Sequence, residues 1–139
     1  MTGPGPIEDS LSTARELAVI VPTFNERDNI VPLLEALKPS LEGIIYEVVF
    51  VDDNSPDGTA QVVAGIALAN PRVRVLQRKG QRGLASACIA GMRATSARYI
   101  AVIDADLQHD ESILPTMLVR MKAENLDIVV ASRKIEGGR

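Results

Sequence analysis

Three short segments carry residues whose types and spacing suit chemistry on a charged ligand. DADLQH (104–109) sets Asp104 and Asp106 one residue apart at the end of an apolar run. If the chain stays extended there, alternate side chains point to opposite sides, so Asp106 and Gln108 share one side. Together they offer oxygen ligands to a hard cation such as Mg²⁺ or Mn²⁺, which takes few carboxylates and completes its shell with substrate phosphates and water. The plainer alternative is that Asp104 and Asp106 cap a helix beginning near Asp110. His109 stands alone and reads as solvated.

Asp52 and Asp53 end a second apolar run, and one of them can accept hydrogen bonds from a ribose or a base. We assign that role to Asp53. The following NSPDGT reads as a turn, with Asp57 or Ser55 capping the next helix. In PTFNE (22–26), Pro22 ends a strand, Asn25 caps the first helix and Glu26 complements its dipole. Phe24 lies just past the strand, where an aromatic ring either supports a nucleobase or packs in the ordinary way. In QRGLASA (81–87), Gly83 opens a helix N-terminus to an anion behind Arg82. Arg133 follows the last apolar run, and its planar fork matches phosphate oxygens.

These residues need elements to hold them. Five apolar runs, 17–21, 46–51, 73–76, 99–103 and 127–131, are rich in Val and Ile and read as strands buried on both faces. The third alternates with Arg74 and belongs nearer an edge. Four apolar stripes lie between them: Ile30, Leu33, Leu34, Leu37 and Leu41; Val62, Val63 and Ile66; Leu84, Ala87, Cys88 and Gly91; and Ile113, Leu114, Met117, Leu118 and Met121. Strands alternating with helices predict right-handed crossovers in an α/β, doubly wound, mostly parallel sheet with helices on both faces. Ligands of such sheets bind beyond the carboxyl ends of the strands, where the acids and Arg133 fall.

Composition narrows the classes further. A chain of 139 residues suits one domain, and 46% hydrophobic with 24% charged residues is ordinary for a folded protein. The net charge of −3 has the wrong sign for a phosphate-backbone footprint, and four aromatic residues make no stacking platform for a single strand, so no nucleic-acid partner is expected. The lone Cys88 forms no internal disulfide. No apolar run reaches membrane-spanning length, since Glu47 interrupts GIIYEVVFV. Residues 1–16 read as a flexible lead-in without a signal peptide, and 17–139 as the domain.

VPTFNERDNI, VDDNSPDGT, RGLASA, DADLQHDESILP and ASR followed by GG, in this order, resemble the inverting glycosyltransferase family 2, which has the GT-A, Rossmann-like nucleotide-sugar-binding fold. Within it they are most similar to the branch of dolichol-phosphate mannosyltransferases and bacterial polyprenyl-phosphate glycosyltransferases. The resemblance implies a nucleotide pocket lined by Pro22, Phe24 and Glu26, with Val51 and Asp53 at the base and ribose. It places Asp104, Ala105, Asp106 and Gln108 around the donor diphosphate, Asp106 and Gln108 as ligands of Mg²⁺ or Mn²⁺, and Arg133 on a phosphate. Arg82 and Gly83 join that nucleotide-sugar site, and Asp106 and Arg133 are its catalytic residues.

The implied reaction is metal-dependent transfer of a hexose to a polyprenyl or dolichyl phosphate. GDP-mannose is the favoured donor, with UDP-glucose as the other choice. Members continue past ASR and GG, so the chain is expected to be the donor-binding part of a longer protein. Membrane contact then falls to the remainder or to a partner, at the cytoplasmic membrane face. The alternative is a nucleotide-sugar-binding fragment without turnover. Other nucleotide folds fit poorly. The first strand leads into PTFNE and not into GxGxxG, no GxxxxGK[ST] exists, and the DxD follows the fourth strand, not the first as in haloacid-dehalogenase-like phosphatases.

Overall fold

β-Branched side chains suit a pleated surface packed on both faces, and the five Val- and Ile-rich runs become strands. They are β1 (Leu17–Thr23), β2 (Tyr46–Asp52), β3 (Val73–Gln77), β4 (Tyr99–Val102) and β5 (Ile128–Val130). The computed structural model describes residues 15–81, 83–106 and 114–125, and the backbone of 128–130. All neighbouring strands pair parallel, in the order β3-β2-β1-β4-β5. β1 is therefore central and β3 is an edge, as Arg74 predicted. Glu47, the charge that interrupts β2, is 5% exposed and is answered from that edge by Arg74 Nε at 2.9 Å.

Among the described residues four helices cover the sheet: α1 (Ile30–Ser40), α2 (Thr59–Ala67), α3 (Leu84–Arg93) and α4 (Leu114–Glu124). Alternation divides the core in two. Leu17, Val19 and Val21, with Val48 and Phe50, pack against Leu33 and Leu37 of α1, Val63 of α2 and Leu118 of α4. On the other face Ala18, Ile20, Val49, Val51 and Val102 meet Ala87 of α3. That contact is close. A methyl group on Gly91 would stand 2.5 Å from Ile20 Cγ2 and 3.1 Å from Val51 Cγ2, so only glycine lets α3 sit this near the sheet. No helix among the described residues is long and apolar enough to cross a membrane.

Several local expectations are corrected. From β1 to β3 the chain steps towards one edge with α1 and α2 on one face, then returns to β4 with α3 on the other, which keeps one hand. The step to β5 continues the return, yet α4 lies on the α1–α2 face, so this crossover has the opposite hand to the rest. The apolar stripe of α4 goes where Leu17 and Ala101 receive it. Leu84, expected on the sheet side of α3, is 64% exposed, because the first turn of α3 projects past the strand ends.

Pro22 does not end β1, which runs on to Thr23, pairing Pro22 with Val51. It ends a ladder instead. Thr23 faces β2, since its carbonyl accepts from Asp53 N–H, so the Pro22 nitrogen faces β4, just after Ile103 N–H donates to the Ile20 carbonyl. The missing donor stops β1–β4 pairing at the point where strand order reverses. Asn25 is not a helix cap either. It takes φ 56, and a 3-10 turn over Arg27–Asn29 precedes α1.

Candidate functional site

The segment after β2 is wired from within. Asp52 is wholly buried and accepts from Thr23 Oγ1 at 2.8 Å, Ser55 N–H at 2.9 Å and Ser55 Oγ at 2.6 Å. Ser55 Oγ in turn accepts the Asn25 N–H at 2.8 Å, and Thr59 Oγ1 accepts the Glu26 N–H at 3.0 Å. These two bonds explain why PTFNE folds onto NSPDGT and does not begin a helix at Asn25. Asp57 takes the Thr59 N–H at 2.9 Å from just outside α2, while Ser55 serves Asp52. Burial pushes the Asp57 carboxyl up, but hydrogen bonds from Thr59 and Arg27, with the Arg27 charge, outweigh it and hold the group below its ordinary value.

Asp53 points the other way. With Pro22, Thr23, Phe24, Gly83, Leu84 and Ala87 it lines a cleft of 270 Å³ between the end of β1 and the first turn of α3. With Phe24, Asn54, Pro56, Gly80 and Gln81 it lines an adjoining cleft of 470 Å³. Phe24, 41% exposed, is shared by both, as a ring able to carry a flat ligand would be. Gly83 takes φ 125, which explains the glycine better than crowding does, since an added methyl would meet only Ser86 Oγ at 3.4 Å.

Of the remaining residues assigned to the nucleotide, Val51 is wholly buried beneath α3. Glu26 is not among the residues lining these two clefts, and its carboxylate accepts from Asn29 Nδ2 at 2.6 Å. Sequence reasoning missed Arg78. This residue is 7% exposed and grips Asp53 with two bonds, Nε to Oδ1 at 2.8 Å and Nη2 to Oδ2 at 3.1 Å. In QRKGQRG it is one of three cations, and nothing in their spacing says which turns inward.

At the end of β4 the chain does not stay extended through DADLQH, because Ala105 and Asp106 form a turn. Ala105 is 1% exposed and anchors that turn in the core, with half-buried Asp104 and Asp106 on either side. Burial pushes up the thiol of Cys88, on α3, and the negative charge of Asp104 adds to the effect. Asp104 therefore lies on the α3 side of the sheet, the side of the 270 Å³ cleft. Arg82, Gln108, His109 and Arg133 lie outside the described residues. Among the described residues no group of three or more His, Cys, Asp or Glu gathers. Of the two expected metal ligands only Asp106 is described, a carboxylate of the kind that Mg²⁺ or Mn²⁺ takes together with substrate phosphates and water.

The strand ends thus offer an aromatic wall, a fixed carboxylate and a helix N-terminus around one cleft, with two further acids at the end of β4. The sequence profile described as glycosyl transferase family 2 matches residues 18–139. The chain belongs to glycosyl transferase family 2. Within that family it is 38% identical over 124 residues to the dolichol-phosphate mannosyltransferase of Pyrococcus furiosus, covering 89% of this chain and 35% of the relative. It is 37% identical over 105 residues to the dolichol-phosphate mannosyltransferase of Saccharomyces cerevisiae, covering 73% of this chain and 39% of that one. The chain therefore spans well under half the length of these relatives.

Among solved structures of the same fold, a mannosyltransferase from Pyrobaculum calidifontis, in complex with GDP-Man and Mn²⁺, superposes with a TM-score of 0.56 at 30% identity, over 67% of this chain and 28% of that one. Glucosyl-3-phosphoglycerate synthase from Mycobacterium tuberculosis has a TM-score of 0.62 at 21% identity, over 86% and 44%, a likeness of fold alone. The α/β, Rossmann-like GT-A architecture is that of the family.

Proposed function

We propose that this glycosyl transferase family 2 chain binds a nucleoside-diphosphate hexose, GDP-mannose before UDP-glucose, and supplies the donor half of an inverting transfer to a polyprenyl or dolichyl phosphate. The observation that carries this reading is the Asp53 carboxylate, fixed on the wall of a cleft that also holds Phe24 and the first turn of α3. Phe24 supports the base, and Asp53 accepts from the ribose hydroxyls. The first turn of α3 after Gly83 presents its N-terminal end to the diphosphate. Asp106 and Gln108 would hold Mg²⁺ or Mn²⁺, with Asp104 and Ala105 beside the donor diphosphate, and the ion would supply positive charge to offset that of the departing group. Arg133 is assigned to a phosphate by family resemblance, and Arg82 to the nucleotide-sugar by its place in the sequence before Gly83.

In the transfer, a phosphate oxygen of the acceptor forms a bond to the anomeric carbon. The bond from that carbon to the diphosphate breaks on the opposite face, and the electron pair leaves with the diphosphate. An acceptor phosphate is anionic near neutral pH, so no protein base has to remove a proton. A polyprenyl acceptor implies work at a membrane surface, which we place at its cytoplasmic face. A second reading is donor binding without turnover.

The test is to supply GDP-mannose labelled in the sugar, Mn²⁺ and a polyprenyl phosphate, and to follow label into the lipid phase. The expected result is label in the lipid. Donor binding with an unlabelled lipid selects the second reading, and a folded chain that does neither overturns both.

A further inference from the structure

Arg78 follows β3, and its N–H donates to the Asp52 carbonyl at 2.7 Å, so the backbone is held beside the end of β2. From there the side chain runs inward at 7% exposure, where an unpaired guanidinium would be costly. A guanidinium carries five N–H donors. Here each has an acceptor: Nε goes to Asp53 Oδ1 at 2.8 Å, and Nη2 goes to Asp53 Oδ2 at 3.1 Å and the Gly83 carbonyl at 3.2 Å. Nη1 goes to Gln81 Oε1 at 3.2 Å and Ser86 Oγ at 3.0 Å. The acceptors belong to two walls of the clefts, the end of β2 and the loop that enters α3.

We propose that Arg78 is a positioning residue that locks the Asp53 carboxylate and the first turn of α3 into one preorganised nucleotide-binding wall, an inference that rests on reading the cleft as the donor site. The bidentate grip fixes the plane of the carboxylate and leaves its remaining lone pairs directed away from the guanidinium. The bond to the Gly83 carbonyl ties the α3 entrance to the same plane. Lysine, a point charge with three donors, cannot hold all five acceptors in that geometry. Arg78 touches no ligand in this scheme and acts through Asp53 and Gly83.

The experiment is calorimetric titration of the full 139-residue chain and its Arg78→Lys and Arg78→Gln variants with GDP and with 2′,3′-dideoxy-GDP, each in Mn²⁺, beside thermal melts. The unsubstituted chain is expected to prefer GDP, because the dideoxy sugar offers Asp53 nothing. Arg78→Gln should weaken GDP binding by about 10- to 100-fold, by analogy with the loss of a group that orients a metal ligand. It should also lose the preference over the dideoxy nucleotide while keeping Mn²⁺ dependence. Arg78→Lys retains a cation beside Asp53 and should melt closer to the parent, yet lose the preference too, and it carries the test if Arg78→Gln does not fold. A folded variant with the parent's preference for GDP overturns the positioning role and leaves Arg78 a structural tie. No GDP binding by the unsubstituted chain overturns the donor-site reading, and this inference with it.

Discussion

At the end of β2, Asp52 and Asp53 are both met by protein groups: Asp52 by Thr23 and Ser55 inside the core, Asp53 by Arg78 at the cleft wall. At the end of β4 the backbone turns at Ala105 and Asp106, and the two acids there are half-buried, Asp104 on the α3 side. The difference separates two tasks. The β2 end is a scaffold whose geometry is set before any ligand arrives, so it suits recognition of a neutral, hydroxyl-rich sugar. In the proposed reading the β4 end supplies the acids that a cation and a diphosphate would meet.

The largest expected effect breaks the β2 side. Asp52→Ala leaves the Thr23 hydroxyl and two Ser55 donors without their acceptor in the core, at a cost of about 3–5 kcal/mol. Urea denaturation would show it, and a loss near zero would mean that this network does not hold the β2 end. On the β4 side, Asp106→Asn keeps the shape of the side chain and should cost less stability than Asp52→Ala does. Metal-dependent donor affinity should fall about 100-fold, or about 2.7 kcal/mol. A variant that unfolds, or one that binds as before, would erase the contrast between the two ends.

Gly91→Ala probes the helix that both ends share. The added methyl must displace Ile20 or lift α3, so overpacking should cost about 1–3 kcal/mol and weaken donor binding at the Leu84 end. Denaturation and titration on one sample would separate the two consequences. The smallest effect is electrostatic. The Asp57 carboxyl is held below its ordinary value of 3.8, so its contribution is present above that pH and is lost as the pH falls below it. Thermal melts of the chain and of Asp57→Asn should differ at neutral pH and converge in acid. A constant gap would show that the hydrogen-bond geometry matters and the charge does not.

Much of the fold was legible because it rests on local pattern. Runs of Val and Ile marked the strands, Arg74 marked the edge, and the spacing of Leu114, Leu118 and Met121 marked the buried stripe of α4. What escaped depends on partners far along the chain. Asn25 resembles a helix cap until Ser55, thirty positions on, takes its N–H. Leu84 belongs to an apolar stripe by spacing, yet it sits where α3 has run past the sheet. Arg78 looks like any surface cation until β3 docks beside β2 and brings it to Asp53, 25 positions earlier. Asp53 was legible as an acid at a strand end, but the group that aims it was not.

The central claim is that this cleft takes a nucleotide-sugar with help from a divalent cation. Calorimetric titration of the chain with GDP-mannose, UDP-glucose and GDP, each in Mn²⁺ and in chelator, tests it most directly. The account predicts saturable binding of GDP-mannose that requires Mn²⁺ and exceeds the binding of UDP-glucose. A demonstrably folded chain that binds none of the three, or binds them equally with and without the metal, would contradict it.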